Sequence, residues 1–260
     1  MTSAKPTRDR KQATEMTREQ QLARAFVSLA DTLAPGFDPL SLFDGLVRHC
    51  VGLLDADAGG VMMGDARGGL RIMAASGEDA VLLELLQLQT GSGPCLDCYH
   101  SGLPLSVPDL AADRHRWPEL ATAALEVGYR STQTVPLRLH EQVIGALTLF
   151  RRAEGRLDAE QTEVAQALAD SAALSLLHWS ADPDPGAEVL TKTQAAIAYK
   201  NALEMAKGMI AQHAGVSVEE ASALLRGYTI DRGVSLADTV HALVAGSLDL
   251  GRITALPRRP

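Results

Sequence analysis

An acidic segment with two prolines divides this 260-residue chain into two parts. Asp182-Pro183-Asp184-Pro185-Gly186 combines the two residue types that interrupt regular structure, because proline lacks a backbone N–H and ordering a glycine costs the most entropy. Residues 181–190 are therefore predicted to be a linker between a larger domain, 18–180, and a smaller one, 191–250. The polar residues 1–17 and the tail 251–260 are predicted to be disordered ends.

The charges are distributed unevenly between these two parts. The chain has a net charge of −8, with 24 basic and 32 acidic side chains. Residues 20–180 contain 11 of the basic and 20 of the acidic ones, whereas residues 191–260 contain eight and six. This difference suits an acidic sensor joined to a weakly basic nucleic-acid module.

The apolar runs and the cysteine count indicate in which cellular compartment the protein works. No apolar run approaches the roughly 18 residues that cross a bilayer, and the N-terminus has no apolar signal region. The chain has three cysteines, an odd number that argues against a disulfide framework. We therefore expect a cytoplasmic protein without a membrane segment.

Hydrophobic spacing predicts a mixed α+β domain before the linker. Leu22, Phe26, Leu29 and Leu33 recur at helical spacing and predict a helix over 18–33. The complete predicted set is helices over 18–33, from 38, over 78–89, 118–127 and 157–179, and strands over 58–63, 70–75, 103–107, 131–139 and 142–151. Asp158 is expected to cap the last helix. This order indicates an antiparallel sheet with helices to one side.

Six short motifs of this domain occur in the order typical of a GAF domain. They are Gly93-Pro94-Cys95, Val107-Pro108-Asp109-Leu110, Arg116-Trp117-Pro118, Gly128-Tyr129-Arg130-Ser131, Val135-Pro136-Leu137 and Ile144-Gly145-Ala146-Leu147-Thr148-Leu149. Residues 25–178 thus resemble a GAF domain, a sensor fold.

The resemblance implies a small ligand held between the sheet and the helices and loops above it. The matching positions are the 91–98 loop, with Cys95, and Asp109, Trp117, Tyr129 and Ser131. Asp109 and Trp117 have an equally good structural interpretation, as a turn cap and a core residue. The sequence identifies neither the ligand nor a cofactor.

Cys95-Leu96-Asp97-Cys98 has the spacing of a redox pair. One thiolate of such a pair can be resolved by its neighbour, so Cys95 and Cys98 are candidates for a redox switch. Simple packing of Cys95 is the competing interpretation. A single CxxC is not a zinc site, and neither a catalytic triad nor a paired-carboxylate arrangement is present, so neither a metal site nor an enzyme is predicted.

A glycine interrupts the apolar helix that follows the linker. Gly208 lies within Ala206-Lys207-Gly208-Met209-Ile210, inside a predicted helix from about 193 to 213. A glycine at such a position costs about 1 kcal/mol relative to alanine. Close packing of another backbone is the simple explanation for it. Two more capped helices follow, from 216 and from 234, which makes the smaller part all-α.

This three-helix order, with its Ala-Lys-Gly triplet, resembles the ANTAR domain, an RNA-binding module of bacterial transcription antiterminators. The resemblance implies RNA contact most directly for Lys207. Lys200, seven residues earlier and so on the same side of the helix, and Arg226 on the next helix would add phosphate contacts. Tyr199 could stack on a base, although a core role is the alternative, as it is for Tyr228.

Three positions depart from the usual pattern of that module. Ser222 stands where an aromatic residue is common, and Thr229 and Val240 stand where small alanines are expected. These differences predict altered packing and bear on the RNA target more than on the fold.

The two resemblances together predict a homodimeric antitermination regulator in which a GAF domain controls binding of stem-loops in nascent mRNA. Two alternatives remain. A cysteine-based GAF enzyme of the methionine sulfoxide reductase type would use Cys95 or Cys98. A helix-turn-helix DNA-binding regulator would need basic residues on its third helix, and 236–248 contains no Lys or Arg.

Overall fold

The computed structural model describes residues 16–32, 37–65, 68–178 and 189–254. The linker motif 182–186, the first fifteen residues and the tail from 255 lie outside the described residues. The helices are α1 Arg18–Ala30, α2 Pro39–Leu53, α3 Glu78–Thr90, α4 Pro94–Ser101, α5 Pro118–Glu126, α6 Ala159–His178, α7 Val189–Ala214, α8 Val218–Arg232, α9 Leu236–Val244 and α10 Gly251–Thr254. The strands are β1 Ala58–Gly64, β2 Leu70–Ala75, β3 Leu105–Val107, β4 Ser131–Leu139 and β5 Gln142–Arg151.

The five strands form one antiparallel sheet in the order β2-β1-β5-β4-β3. The hairpin β4–β5 turns through His140, whose φ of 54° is left-handed. β1 and β5 lie inside the sheet, and β2 and β3 are its edges. The predicted antiparallel α+β fold is confirmed.

Helices cover both faces of the sheet, which corrects the expectation that they lie to one side. α2 and α6 pack on one face, with α1 against them, while α3 and α4 pack on the other, with α5 against α3. The reason lies in β1, whose seven residues are all buried. Alternate side chains of a strand point to opposite faces, so a fully buried strand needs a layer on each side.

Local sequence explains where several helices begin and end. Thr17 and Gln20 form a capping box at the start of α1, and Asp38 accepts from the backbone of the first turn of α2. Asp158 Oδ1 accepts from the N–H of Gln161 at 2.7 Å, so it caps α6 as predicted. Gly91 ends α3 in the left-handed conformation that glycine adopts freely.

The smaller part is helical, as predicted, and α7 is its 26-residue central helix. α8 and α9 pack on α7 after caps at Ser217 and Ser235. The structure corrects the start of the predicted disordered tail. Residues 251–254 form α10 because Ile253 is fully buried against the other helices.

α7 also joins the two parts, since it contacts α2, α6 and strands β1, β2 and β5 as well as α8 and α9. One continuous apolar core therefore runs from the sheet, through α7, into the C-terminal helices. None of the described helices is long and apolar enough to cross a membrane.

Candidate functional site

The apolar side of α7 is buried as its spacing predicts. Ala196, Tyr199, Leu203, Ala206 and Ile210 are all at most 5 % exposed. The ring of Tyr199 packs edge-on against His241 of α9, with 6.5 Å between ring centroids. The structure thus places Tyr199 in the core between helices, which is the alternative role that the sequence also allowed. In this conformation no face of the ring is open to an RNA base.

Lys207 lies at the edge of this buried surface. Its ammonium donates to Glu204 Oε1 at 2.7 Å, and its side chain is 17 % exposed. Gly208, the next residue, is exposed, and a Cβ built on it would meet no other atom within 4 Å. Close packing of another backbone from the described part of the chain therefore does not explain this glycine.

Arg226 on α8 is exposed and precedes a second mid-helix glycine. Gly227 also has open space where a Cβ would lie. Lys200 is placed differently, because its ammonium donates to the carbonyl oxygens of Ile72 and Met73 on β2. Of the four predicted RNA contacts, only Lys207 and Arg226 thus reach solvent without a bond to the larger domain.

The predicted ligand residues of the larger domain fill its interior. Cys95, Trp117, Tyr129 and Ser131 are each at most 4 % exposed. Trp117 and Tyr129 belong to one apolar cluster beside α5, whereas Cys95 belongs to another beside α4. Asp109 caps a turn by accepting from the N–H groups of residues 111 and 112. The structure therefore does not bring these five residues together around one cavity.

Tyr129 additionally lines an open cleft of about 350 Å³ at the start of α3. Asp57, Glu78 and Asp79 contribute carboxylates to the same cleft. Arg152 lies over the Tyr129 ring, 5.2 Å from its centroid, and its backbone N–H donates to Asp57 Oδ2.

A buried polar row, which sequence reasoning missed, crosses the sheet under α3. Gly60, Thr148 and Thr134 are cross-strand neighbours and share one face. The fully buried Glu84 lies over Gly60, because a Cβ there would be 2.6 Å from Glu84 Oε1. Among the described residues, Glu84 Oε1 and the two threonine hydroxyls have no partner in good hydrogen-bond geometry, although the Thr148 hydroxyl lies close enough to Glu84 to influence its carboxyl. The available signal was a charged residue within the apolar run Val81-Leu82-Leu83-Glu84-Leu85-Leu86.

Glu84 is connected to the CxxC helix through one glutamine. Gln87 Nε2 donates to Glu84 Oε2 at 2.9 Å, and Gln87 Oε1 accepts from the N–H of Cys95 at 2.9 Å. Burial raises the pKa of Glu84 to about 8, an effect that the nearby Thr148 hydroxyl only partly offsets. At neutral pH this side chain is therefore mainly a neutral carboxylic acid.

The CxxC thiols are both buried. Burial raises the pKa of Cys98 to about 12 and that of Cys95 well above its usual value. Redox chemistry at cysteine begins from the thiolate, which this environment disfavours. In this conformation Cys95 and Cys98 are packed core residues, which agrees with the packing interpretation and not with a redox switch.

Comparison with family models finds a GAF domain over residues 38–176 and an ANTAR domain over residues 191–244. The chain belongs to the GAF domain family, and it carries a C-terminal ANTAR domain. The combination of these two domains fits a regulator with a sensory domain. None of the curated proteins matches the chain.

Solved structures similar to the chain include several GAF domains. The GAF domain of an Acinetobacter phosphoenolpyruvate-protein phosphotransferase has 15 % identity and a TM-score of 0.50, covering 64 % of this chain and 100 % of that one. The corresponding domain from Coxiella burnetii has 17 % identity and a TM-score of 0.48, covering 61 % and 94 %. A type II free methionine-R-sulfoxide reductase from Thermoplasma acidophilum has 16 % identity and a TM-score of 0.41, covering 53 % and 92 %. At these identities the likeness concerns the fold alone.

The ANTAR domain accommodates its unusual residues in its core. Thr229 and Val240 are buried, and the Thr229 hydroxyl donates to the carbonyl of Arg226 one turn earlier. Ser222 is half-buried. Tyr228 is 7 % exposed and lies against the guanidinium of Arg232.

Proposed function

We propose that this protein is an RNA-binding transcription antitermination regulator of the cytoplasm. Its ANTAR domain would hold stem-loops of a nascent mRNA and so keep a terminator hairpin from forming. Its GAF domain would control that binding in response to a small molecule or a redox signal. The family resemblance and the surface of α7 and α8 support this proposal.

The observation that carries the proposal is a pair of unpacked glycines. Gly208 and Gly227 each lie inside a helix, where glycine costs about 1 kcal/mol relative to alanine, and nothing in the described chain occupies the space above either one. Each directly follows a basic residue, Lys207 or Arg226. A missing side chain beside a cation lets a phosphate backbone come close to the helix. The binding energy gained by that approach would offset the lower helix propensity of glycine.

The ion pair of Lys207 is compatible with RNA binding. Its partner Glu204 is 51 % exposed, and an exposed pair of this kind contributes only about 0–1 kcal/mol. An RNA phosphate could therefore replace Glu204 at small cost and release counterions in doing so. Arg226 adds a planar guanidinium, which can bind a phosphate through two hydrogen bonds.

We further propose a homodimer formed through α1 and α6. These helices pack together, and they expose Val27 and Leu174, which are 68 % and 48 % accessible. A second copy would remove both side chains from water. α6 also precedes the linker, so a change in its pairing would reach the ANTAR domain.

For the GAF ligand we propose a small polar molecule that enters beside Glu84 and accepts a hydrogen bond from its protonated carboxyl. Such a ligand would also bind the hydroxyls of Thr134 and Thr148, which have no well-aligned partner among the described residues. These side chains are packed, so α3 or α4 would have to move for the ligand to enter. Cys95 adjoins the same row and would sense that movement.

The decisive experiment compares Lys207→Met with Arg156→Met, which removes an equal charge from an exposed GAF position. Binding to a two-hairpin leader RNA and to duplex DNA is measured at two salt concentrations. We expect Lys207→Met to weaken RNA binding about tenfold and to lower the salt slope by about one. Equal RNA affinity of the two variants, or equal affinity of the protein for RNA and DNA, contradicts the proposal.

No observation supports either of the alternative functions, the cysteine-based reductase or the helix-turn-helix DNA-binding regulator. A reductase needs an accessible thiolate, whereas Cys95 and Cys98 are buried. A DNA-recognition helix needs exposed Lys or Arg, and α9, Leu236–Val244, has neither.

A further inference from the structure

Lys200 is bound by the edge strand of the GAF domain. Its Nζ donates to Ile72 O at 2.5 Å and to Met73 O at 3.1 Å. Successive carbonyls of a regular strand point to opposite edges, so one ammonium reaches both only where the strand is irregular. The β1–β2 register shifts between Val61 and Met62, which leaves Met73 as a bulged residue. The bulge on β2 thus forms a two-carbonyl acceptor for Lys200.

An acidic side chain of the GAF domain lies within electrostatic reach of the same group of cations. Asp44, on α2, is exposed to solvent. Burial raises the pKa of its carboxyl and Asp38 raises it further, while Lys200, Arg226 and Arg48 oppose them. Two of those three cations belong to the ANTAR domain. Asp44 is therefore a GAF carboxylate whose charge acts on two cations of the ANTAR domain.

Docking on β2 and binding of RNA make competing demands on Lys200. An ammonium has three N–H donors, and the bulge uses two of them. Lys200 is half-buried at this position, and the resulting desolvation lowers its pKa. The neighbouring Tyr199 is fully buried by the same arrangement of α7. While it is docked on β2, Lys200 therefore has at most one N–H left for a phosphate and offers it from a half-buried position, so docking and RNA binding compete.

We propose that this contact is autoinhibitory: the GAF domain holds Lys200 on the β2 bulge, with Asp44 within electrostatic reach, and RNA binding requires α7 to leave that position. The inference rests on the proposed RNA-binding function and adds the device that regulates it. Because the bulge and RNA compete for one ammonium, each weakens the binding of the other by the same factor.

The first test changes the GAF side of the contact, so that no proposed RNA contact is altered. Asp44→Asn is compared with Glu119→Gln, an equal charge change on the exposed start of α5. We expect Asp44→Asn to raise RNA affinity about threefold over that control, because the exposed Asp44 acts on Lys200 and Arg226 through its charge without forming an ion pair. It should also accelerate acetylation of Lys200 relative to Lys207, measured by mass spectrometry. Equal affinities and unchanged Lys200 reactivity overturn the proposal.

The second test uses the unaltered protein and the two-hairpin RNA. Saturating RNA should speed amide hydrogen exchange in 70–75, because α7 leaves the edge of β2. Unchanged or slower exchange with RNA bound means that RNA binds the docked form, which refutes autoinhibition. If no variant binds RNA, the proposed function fails and autoinhibition with it. In that case faster Lys200 acetylation in Asp44→Asn still identifies the contact between the domains.

Discussion

Replacing the buried Glu84 by glutamine should stabilise this protein, and increasingly so as the pH rises. The carboxyl is fully buried and its pKa is about 8, against 4.5 for the unperturbed group. The unfolded chain thus loses its proton at lower pH than the folded one. Stability is lost as the pH rises from about 4.5 to about 8, and glutamine has no proton to lose.

The size of the effect follows from those two pKa values. One pKa unit corresponds to about 1.4 kcal/mol, so the wild type carries a penalty of about 1 kcal/mol at pH 5, about 3 kcal/mol at pH 7 and about 5 kcal/mol at pH 9. Glutamine retains an acceptor for Gln87 Nε2, which now donates to Glu84 Oε2. The variant should therefore gain nearly the full difference.

Thermal unfolding of both proteins between pH 5 and 9 measures the effect. For a chain of this size, about 3 kcal/mol at pH 7 corresponds to an increase of roughly 6–12 °C in Tm. Glu126→Gln, at an exposed position on α5, is the matched control and should show no such trend. A Glu84→Gln variant whose Tm difference from wild type does not grow with pH would refute the assignment of a neutral, buried carboxyl.

Three further outcomes test the packing and the surface. Gly208→Ala should stabilise the ANTAR domain by up to about 1 kcal/mol in thermal unfolding, because the added Cβ meets open space. The same variant should weaken RNA binding. Stabilisation with unchanged RNA affinity contradicts the role given to this glycine. Cys95 and Cys98 should resist alkylation by iodoacetamide in the native protein, as followed by mass spectrometry, and rapid labelling would restore the redox hypothesis. Gly145→Ala should lower stability by about 1–3 kcal/mol in urea unfolding, since its Cβ would press on the carbonyl oxygen of Met62, whereas full stability means that β1 can shift.

The sequence determined the elements of this protein because their signals are local. Helical spacing located the core side of α7, and Ala196, Leu203 and Ile210 are buried as that spacing requires. Asp158 caps α6, and the two hairpins lie where alternating patterns placed them. Short motifs identified both families for the same reason, since each motif is a contiguous run of residues.

Only the tertiary structure decided which side chains meet and which remain in water. Glu84 and Lys200 are ordinary charged residues in the sequence, but α3 presses the first onto Gly60 and α7 carries the second to the β2 bulge. Tyr199 became a core residue and Gly208 remained open because of how α7 packs on its neighbours. Burial, pKa and competition for a donor depend on groups brought together from distant positions in the chain, and local patterns do not contain that information.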